Sequence, residues 1–214
     1  MKIKSFKGGY DYNFSYLIWD EITLEGAIID PAVQPDTVFD FISNNNIQLS
    51  KILITHTHHD HIVYLNDFLQ KYSNIDIYAY AKTRQTIEGN FNGVIHQGQI
   101  LIGDINIKVL YTPGHYDDCV CYWIQDSKIL FTGDTVFVGR SGRTISNYSN
   151  ISQLYSSIYN IILKLPADTT IYSGHDYGER PFITIGENIN LSPFFSCNSE
   201  NEFVQIMKNF ESNR

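Results

Sequence analysis

No stretch of this 214-residue chain holds the roughly 18 consecutive apolar residues that a membrane-spanning helix needs. The N-terminal Met1-Lys2-Ile3-Lys4-Ser5-Phe6-Lys7-Gly8-Gly9 carries positive charge, but no apolar core or small-residue cleavage site follows it. It therefore does not read as a signal peptide. Cysteine is scarce: the chain has three, whereas a secreted disulfide framework pairs an even number. These absences predict a cytoplasmic protein with no membrane association. Cationic residues are also in deficit, with 15 Lys and Arg against 23 Asp and Glu and a formal net charge of -8. No Lys/Arg run stands out, which argues against a nucleic-acid partner. There is no short-period repeat, low-complexity tract or linker-like stretch. With 43% hydrophobic residues, the chain can bury a full core, and one domain over residues 1–214 is the expectation.

Histidine, in contrast, is concentrated. Four of the chain's seven histidines and one carboxylate fall within Thr55-His56-Thr57-His58-His59-Asp60-His61. His56 and His58 are two apart and point the same way in an extended segment, while Asp60 and His61 come round on the following turn. One loop can thus present ligands to two metals. The apolar run Lys51-Ile52-Leu53-Ile54 delivers it as a strand, and Ile62, Leu65, Phe68 and Leu69 continue it at helical spacing. A helix starting there would place Asp60 near its positive end, which favours the ionised carboxylate.

Elsewhere, Phe14–Trp19 and Ala27–Asp30 read as a hairpin closed before Pro31. Asp36 reads as the cap of a short helix carrying Val38, Phe39 and Ile42, which Asn44-Asn45-Asn46 ends. Ile75–Tyr80 is a strand candidate, and Thr83–Gly89 a short helical or irregular piece. From Gln99 to Ile124 the period is two, with a turn at Gly103-Asp104. Lys128–Thr132 and Thr169–Tyr172 are further strands, and Asn150–Leu165 and Ser199–Phe210 are helices. Cys119 and Cys121 lie within a strand-like run as small core residues, and Cys197 is isolated. Periodicity alone gives an α/β or α+β chain.

Three downstream segments present polar residues from tight turns after strands: Tyr111-Thr112-Pro113-Gly114-His115, Phe131-Thr132-Gly133-Asp134-Thr135 and Ser173-Gly174-His175-Asp176-Tyr177. Such loop ends are where binding residues tend to lie. In order and spacing, these segments together with the H-x-H-x-D-H cluster resemble the metallo-β-lactamase superfamily. The resemblance implies an α/β fold in the form of a four-layer αββα sandwich, with the metal site at one sheet edge. It implies His56, His58 and His115 at site one, Asp60, His61 and His175 at site two, and Asp134 bridging. This donor set of nitrogen and oxygen suits two divalent metal ions, zinc first, with iron or manganese also compatible. His59 falls at a variable motif position and His96 outside every motif.

The stretch from Phe131 to Arg143 and Gly174-His175-Asp176-Tyr177 are similar to the glyoxalase II group, the hydroxyacylglutathione hydrolases. That resemblance implies hydrolysis of a small thioester, glutathione-type or other, by a water activated between the metals, with Asp60 as ligand and orienting group. It assigns substrate contacts to Arg143 and Tyr177. Ser141 stands where relatives commonly have Cys. Too few residues follow His175 for that group's helical glutathione-binding domain, so none is expected. The zinc β-lactamases carry Cys in place of Asp134, which points away from antibiotic hydrolysis. Leu191-Ser192-Pro193-Phe194-Phe195 and Glu202–Met207 are similar to the persulfide dioxygenases, which would hold one iron through His56, His115 and Asp134. The motif does not separate these two chemistries, and a lactone or ester hydrolase would use the same ligands.

Overall fold

Strand β1 (Lys2–Gly8) has no sequence signal beyond Ile3 and Phe6 between lysines, and it forms a sheet edge, where charged residues guard against unwanted strand pairing. The computed structural model describes residues 1–83, 87 and 90–212. β2 (Asn13–Trp19) and β3 (Glu25–Ile29) are the expected hairpin. Helix α1 (Pro35–Asn44) leads to β4 (Gln48–Leu53), the one-turn helix α2 (His59–Ile62), α3 (Leu65–Lys71), β5 (Asp76–Tyr80) and β6 (Phe91–Val94). The six strands form one sheet in chain order, antiparallel through β3 and parallel from β3 to β6.

A second six-stranded sheet follows. β7 (Gln99–Ile102), β8 (Ile105–Tyr111), β9 (Val120–Ile124) and β10 (Ile129–Gly133) run antiparallel in sequence. The small hairpin of β11 (Val136–Phe137) and β12 (Arg140–Ser141) precedes α4 (Ile151–Asn160). β13 (Thr170–Ser173) then pairs parallel with β10, and β14 (Phe182–Thr184) closes the edge. Helices α5 (Ile185–Leu191) and α6 (Glu200–Ser212) complete the chain.

Three buried clusters define four layers. Ile18, Leu53, Val109, Tyr122 and Phe131 pack between the sheets. Val38, Ile42 and Phe68 seat α1 and α3 on the first sheet, and Leu154, Ile158, Ile185, Phe203 and Met207 seat α4, α5 and α6 on the second. Each fully buried Leu, Ile or Phe contributes about 1.5–3 kcal/mol. The arrangement is the expected αββα sandwich. A strand such as β2, buried on both faces over six consecutive residues, shows why alternation is weak in it. No helix among the described residues is long and apolar enough to cross a membrane.

Several local expectations are corrected. Gln34, not Asp36, precedes the first helix; Pro35 opens it with its fixed φ and Asp36 lies in the first turn. The helix after the histidine loop is split between α2 and α3. Helix α4 stops at Asn160 because Ile161 leaves helical geometry (φ -120°, ψ -65°), and a 3-10 turn at Ile162–Lys164 replaces the end expected at Leu165. Strands β6 and β14, the β11–β12 hairpin and α5 are too short or too weakly patterned to have been foreseen. Of the piece expected at Thr83–Gly89, residues 84–86, 88 and 89 lie outside the described residues. Cys119, Cys121 and Cys197 are free and buried, and burial pushes the Cys121 thiol up to about 12.

Candidate metal centre

Four strand ends feed one cleft. β4 ends into His56–His61, β8 into His115, β10 into Asp134 and β13 into His175. This is the carboxyl end of the parallel pairs, where crevices form in open α/β sheets. The loops fit because glycine stands at the tight points. Gly133 has φ +47° and lies against Thr55, where a Cβ would come within 2.4 Å of the hydroxyl. At Gly174 a Cβ would come 2.3 Å from Asp134 Oδ1 and 2.7 Å from His61 Cε1. The main chain joins the loops through Gly174 N to Gly133 O (2.8 Å) and Val120 N to Thr55 O (2.8 Å).

All seven residues expected as metal ligands converge. His58 Nδ1 lies 3.0 Å from both His56 Nε2 and His115 Nε2. His61 Nε2 is 3.2 Å from His175 Nε2, and His175 Nε2 is 3.3 Å from Asp60 Oδ2. Asp134 stands between the groups, with Oδ1 3.2 Å from His61 Nε2 and Oδ2 3.5 Å from His115 Nε2 and 3.3 Å from His175 Nε2. Three subsets of donor atoms close enough to hold a cation result: His56, His58 and His115; His56, His61 and Asp134; and Asp60, His61 and His175.

The far side of the rings explains the orientation. His61 Nδ1 faces Asp30 Oδ2 at 2.8 Å, His115 Nδ1 faces the Arg143 carbonyl at 2.8 Å, and His175 Nδ1 faces the Asp11 carbonyl at 2.8 Å. The Thr55 hydroxyl donates to Asp30 and so can accept from His56 Nδ1 at 3.1 Å. Each of these four rings thus keeps its proton on Nδ1 and turns an Nε2 lone pair inward, the tautomer a metal ligand requires. Lone pairs 3.0 Å apart repel unless a proton or cation lies between them. A four-coordinate cation about 2.0–2.1 Å from each nitrogen separates such nitrogens by about 3.3 Å, close to what is observed. Asp134 Oδ1 is buried without a hydrogen-bond partner, an expense that a bound cation would remove. The residues therefore fit the divalent ions that the fold implies.

Electrostatics divide the site. Burial, reinforced by neighbouring imidazoles, pushes His56 well below its ordinary value and His58 down to about 4, and burial also lowers His115. At the other end burial acts in the same sense, but Asp134 and Asp30 outweigh it and raise His61, while Asp134 and Asp60 raise His175 to about 9. Burial alone would raise both carboxyls; His175 and His61 instead hold Asp60 and Asp134 below the usual carboxylate range. The half built around Asp60, Asp134 and Asp30 is rich in negative charge and calls for a positive partner.

Asn13, Asp30 and Asp11 were not foreseen. Asn13, fully buried, donates from Nδ2 to Asp60 Oδ2 at 2.9 Å. Asp118 braces the loop from below through the Thr57 amide and hydroxyl. Asp60 lies in a helix of one turn, so His175, His61 and Asn13, more than a helix dipole, fix its charge. Tyr177 stacks on His175 with centroids 4.7 Å apart and planes at 1°, and its hydroxyl donates to Asp11. Arg143 lines the cleft but is exposed, and the contact it makes to the ligand set is through its main-chain carbonyl. His59 is exposed beside Tyr10, and exposed His96 accepts from Tyr111 N at a separate groove. The cleft has a volume of about 310 Å³.

A family model described as the metallo-beta-lactamase superfamily matches residues 8–175. Among curated proteins, the hydroxyacylglutathione hydrolase of Francisella tularensis subsp. novicida is 36% identical over 171 residues, covering 77% of this chain. The chain spans 63% of the length of that relative. Among solved structures, ETHE1 from Myxococcus xanthus is 29% identical with a TM-score of 0.88, covering 98% of this chain and 91% of that one. The BLEG-1 B3 metallo-beta-lactamase is 26% identical with a TM-score of 0.82, covering 92% and 100% respectively.

Proposed function

Because the chain belongs to the metallo-β-lactamase superfamily, we propose that it is a binuclear metal-dependent hydrolase that cleaves a small thioester, of the glutathione type or similar. The observation that carries this reading is the double ligand set, two groups of histidines sharing Asp134, in a chain 36% identical to hydroxyacylglutathione hydrolases. His56, His58 and His115 would hold one ion, Asp60, His61 and His175 the other, and Asp134 both. When bound, the two ions, zinc first among the candidates, supply a water acidic enough to ionise near neutral pH and a Lewis acid for the carbonyl.

The chain's own residues supply position and charge. Asp60, fixed by the Asn13 amide, accepts a hydrogen bond from the attacking water and aims it. Asp30, Thr55, Arg143 O and Asp11 O hold the rings in the required tautomer. A thiolate with a pKa of about 8.5 leaves without a general acid. Tyr116 packs on the His58 ring with centroids 4.3 Å apart, and Tyr148 packs edge-on against Tyr116. Tyr177 and Arg143 line the cleft and contact the substrate.

The test is metal analysis of the purified protein together with hydrolysis of an S-hydroxyacylglutathione. Two ions per chain and release of glutathione are expected. A fully loaded protein that leaves the thioester intact overturns the reading. A second reading, a persulfide dioxygenase with one iron on His56, His115 and Asp134, is supported by the overlay with ETHE1 across 98% of the chain. One iron and oxygen uptake on glutathione persulfide would select it. A lactone or other ester as a parallel substrate tests the remaining hydrolase class.

A further inference from the structure

Arg143, Ile145, Ser146 and Ser149 line the cleft from one segment, and that segment folds around His115. Ser149 Oγ donates to the His115 carbonyl at 2.6 Å, Asn150 N donates to the Gly114 carbonyl at 2.8 Å, and His115 Nδ1 donates to the Arg143 carbonyl at 2.8 Å. The Arg143 carbonyl and the Thr144 amide are two ends of a single planar peptide group. That amide donates to Glu211 Oε1 at 2.5 Å, and the Thr144 hydroxyl donates to the same oxygen at 3.1 Å. One peptide plane is therefore held at both ends, by the imidazole of a candidate ligand and by a carboxylate 67 residues beyond Thr144.

An acid is out of place at position 211 on packing and on charge. Helix α6 buries Phe203 and Met207, and Glu211, partly buried, continues that series at the next four-residue step. It also lies in the last turn of the helix, at the negative end of the helix dipole, where a carboxylate is disfavoured. The bonds to Thr144 account for it. Met207 and Glu211 follow the segment in step, since Ser141 Oγ donates to Met207 Sδ at 3.8 Å one turn before Glu211 meets Thr144. A carboxylate that accepts from an amide N–H polarises the peptide and makes its carbonyl a stronger acceptor. The acceptor at the outer nitrogen of a ligating imidazole in turn fixes the ring. We infer that Glu211 is a positioning residue of the metal centre: it acts through the 143–144 peptide to hold the His115 ring with Nε2 aimed at the ion shared with His56 and His58. This rests on the reading of His115 as a metal ligand.

The test is NMR of the zinc-loaded full chain with isotopically labelled histidine, read beside competition for the zinc by a chromophoric chelator. In Glu211→Ala the His115 Nδ1–H resonance should shift as its hydrogen bond loosens. Those of His61 and His175, whose acceptors are Asp30 and the Asp11 carbonyl, should stay in place. The same variant should give up zinc at about tenfold lower chelator concentration. Glu211→Gln, which keeps an oxygen for the Thr144 amide, should fall between Glu211→Ala and the wild type. Thr144→Val removes the hydroxyl and leaves the amide, so its His115 resonance should match the wild type. An unmoved His115 resonance in Glu211→Ala, an equal shift at all three rings, or unchanged zinc retention overturns the positioning role. So does Glu211→Gln behaving as Glu211→Ala, or Thr144→Val moving His115 as far. A wild-type chain that takes up no zinc overturns the metal-ligand reading instead, and the His115 resonance of the same proteins without added zinc then decides by itself whether Glu211 sets the ring.

Discussion

Asn13 carries no charge and is absent from the ligand set, but its amide decides where Asp60 points. With Nδ2 donating to Asp60 Oδ2 and Oδ1 accepting from the Asp11 amide, it links the turn that supports His175 to the carboxylate opposite. Outer partners of this kind change metal affinity or activity by about 10–100-fold when removed. Asn13→Ala should therefore give up bound metal to a competing chelator at lower concentration than the wild type while keeping its fold by circular dichroism. Unchanged chelator sensitivity would show that Asp60 needs no brace. Asp60→Ala should lower turnover more than substrate affinity, and steady-state kinetics with unchanged kcat would remove the orienting role. Gly174→Ala is harsher: its Cβ would fall 2.3 Å from Asp134 Oδ1, so the variant should purify with little metal even where its secondary structure survives.

At the scale of elements, the β11–β12 hairpin depends on a side chain from another helix. Asn188→Ala would leave Phe137 O and Gly139 N without their partner in a buried position, at a cost of about 1–3 kcal/mol per orphaned group. Denaturant unfolding should show a loss of about 2–4 kcal/mol. The same elements show what the sequence could reveal. The seven candidate ligands were readable because metal-binding residue types crowd onto short loops after strands, and α6 because its apolar positions recur at helical spacing. Asn13 and Asp30 were not, since their neighbours at the site lie on other loops and their residue types are common on any surface. β1 hid behind its lysines, and α5 was masked by glycine and asparagine in Ile185–Leu191 until Thr184 and Glu187 closed a capping box around its start.

Across the whole molecule, the two sheets meet at the site on one end and at Glu25 on the other. Glu25, on the first sheet, accepts from Lys51 Nζ and Ser50 Oγ beside it and from the Gly103 amide in the β7–β8 turn of the second sheet at 2.8 Å. These bonds, the Lys51 contact first, hold its carboxyl down at about 2, from an ordinary 4.5. The sign follows: a carboxyl with a lowered folded value stabilises the protein at pH above 4.5, and that stabilisation is lost as pH falls from about 4.5 towards 2. Glu25 is partly exposed, with 30% of its side-chain surface accessible, so solvent screening limits the contribution to about 1 kcal/mol. Glu25→Gln should lower the melting temperature at pH 7 by a few degrees and leave it nearly unchanged at pH 2.5, the gap between variant and wild type closing through that window. A gap that stays constant from pH 7 to pH 2.5 would mean that the ionised carboxylate does not hold the sheets together. Running both proteins with and without chelator separates the two ends of the sandwich, because metal removal should lower both melting curves alike and leave the Glu25-dependent gap as it was.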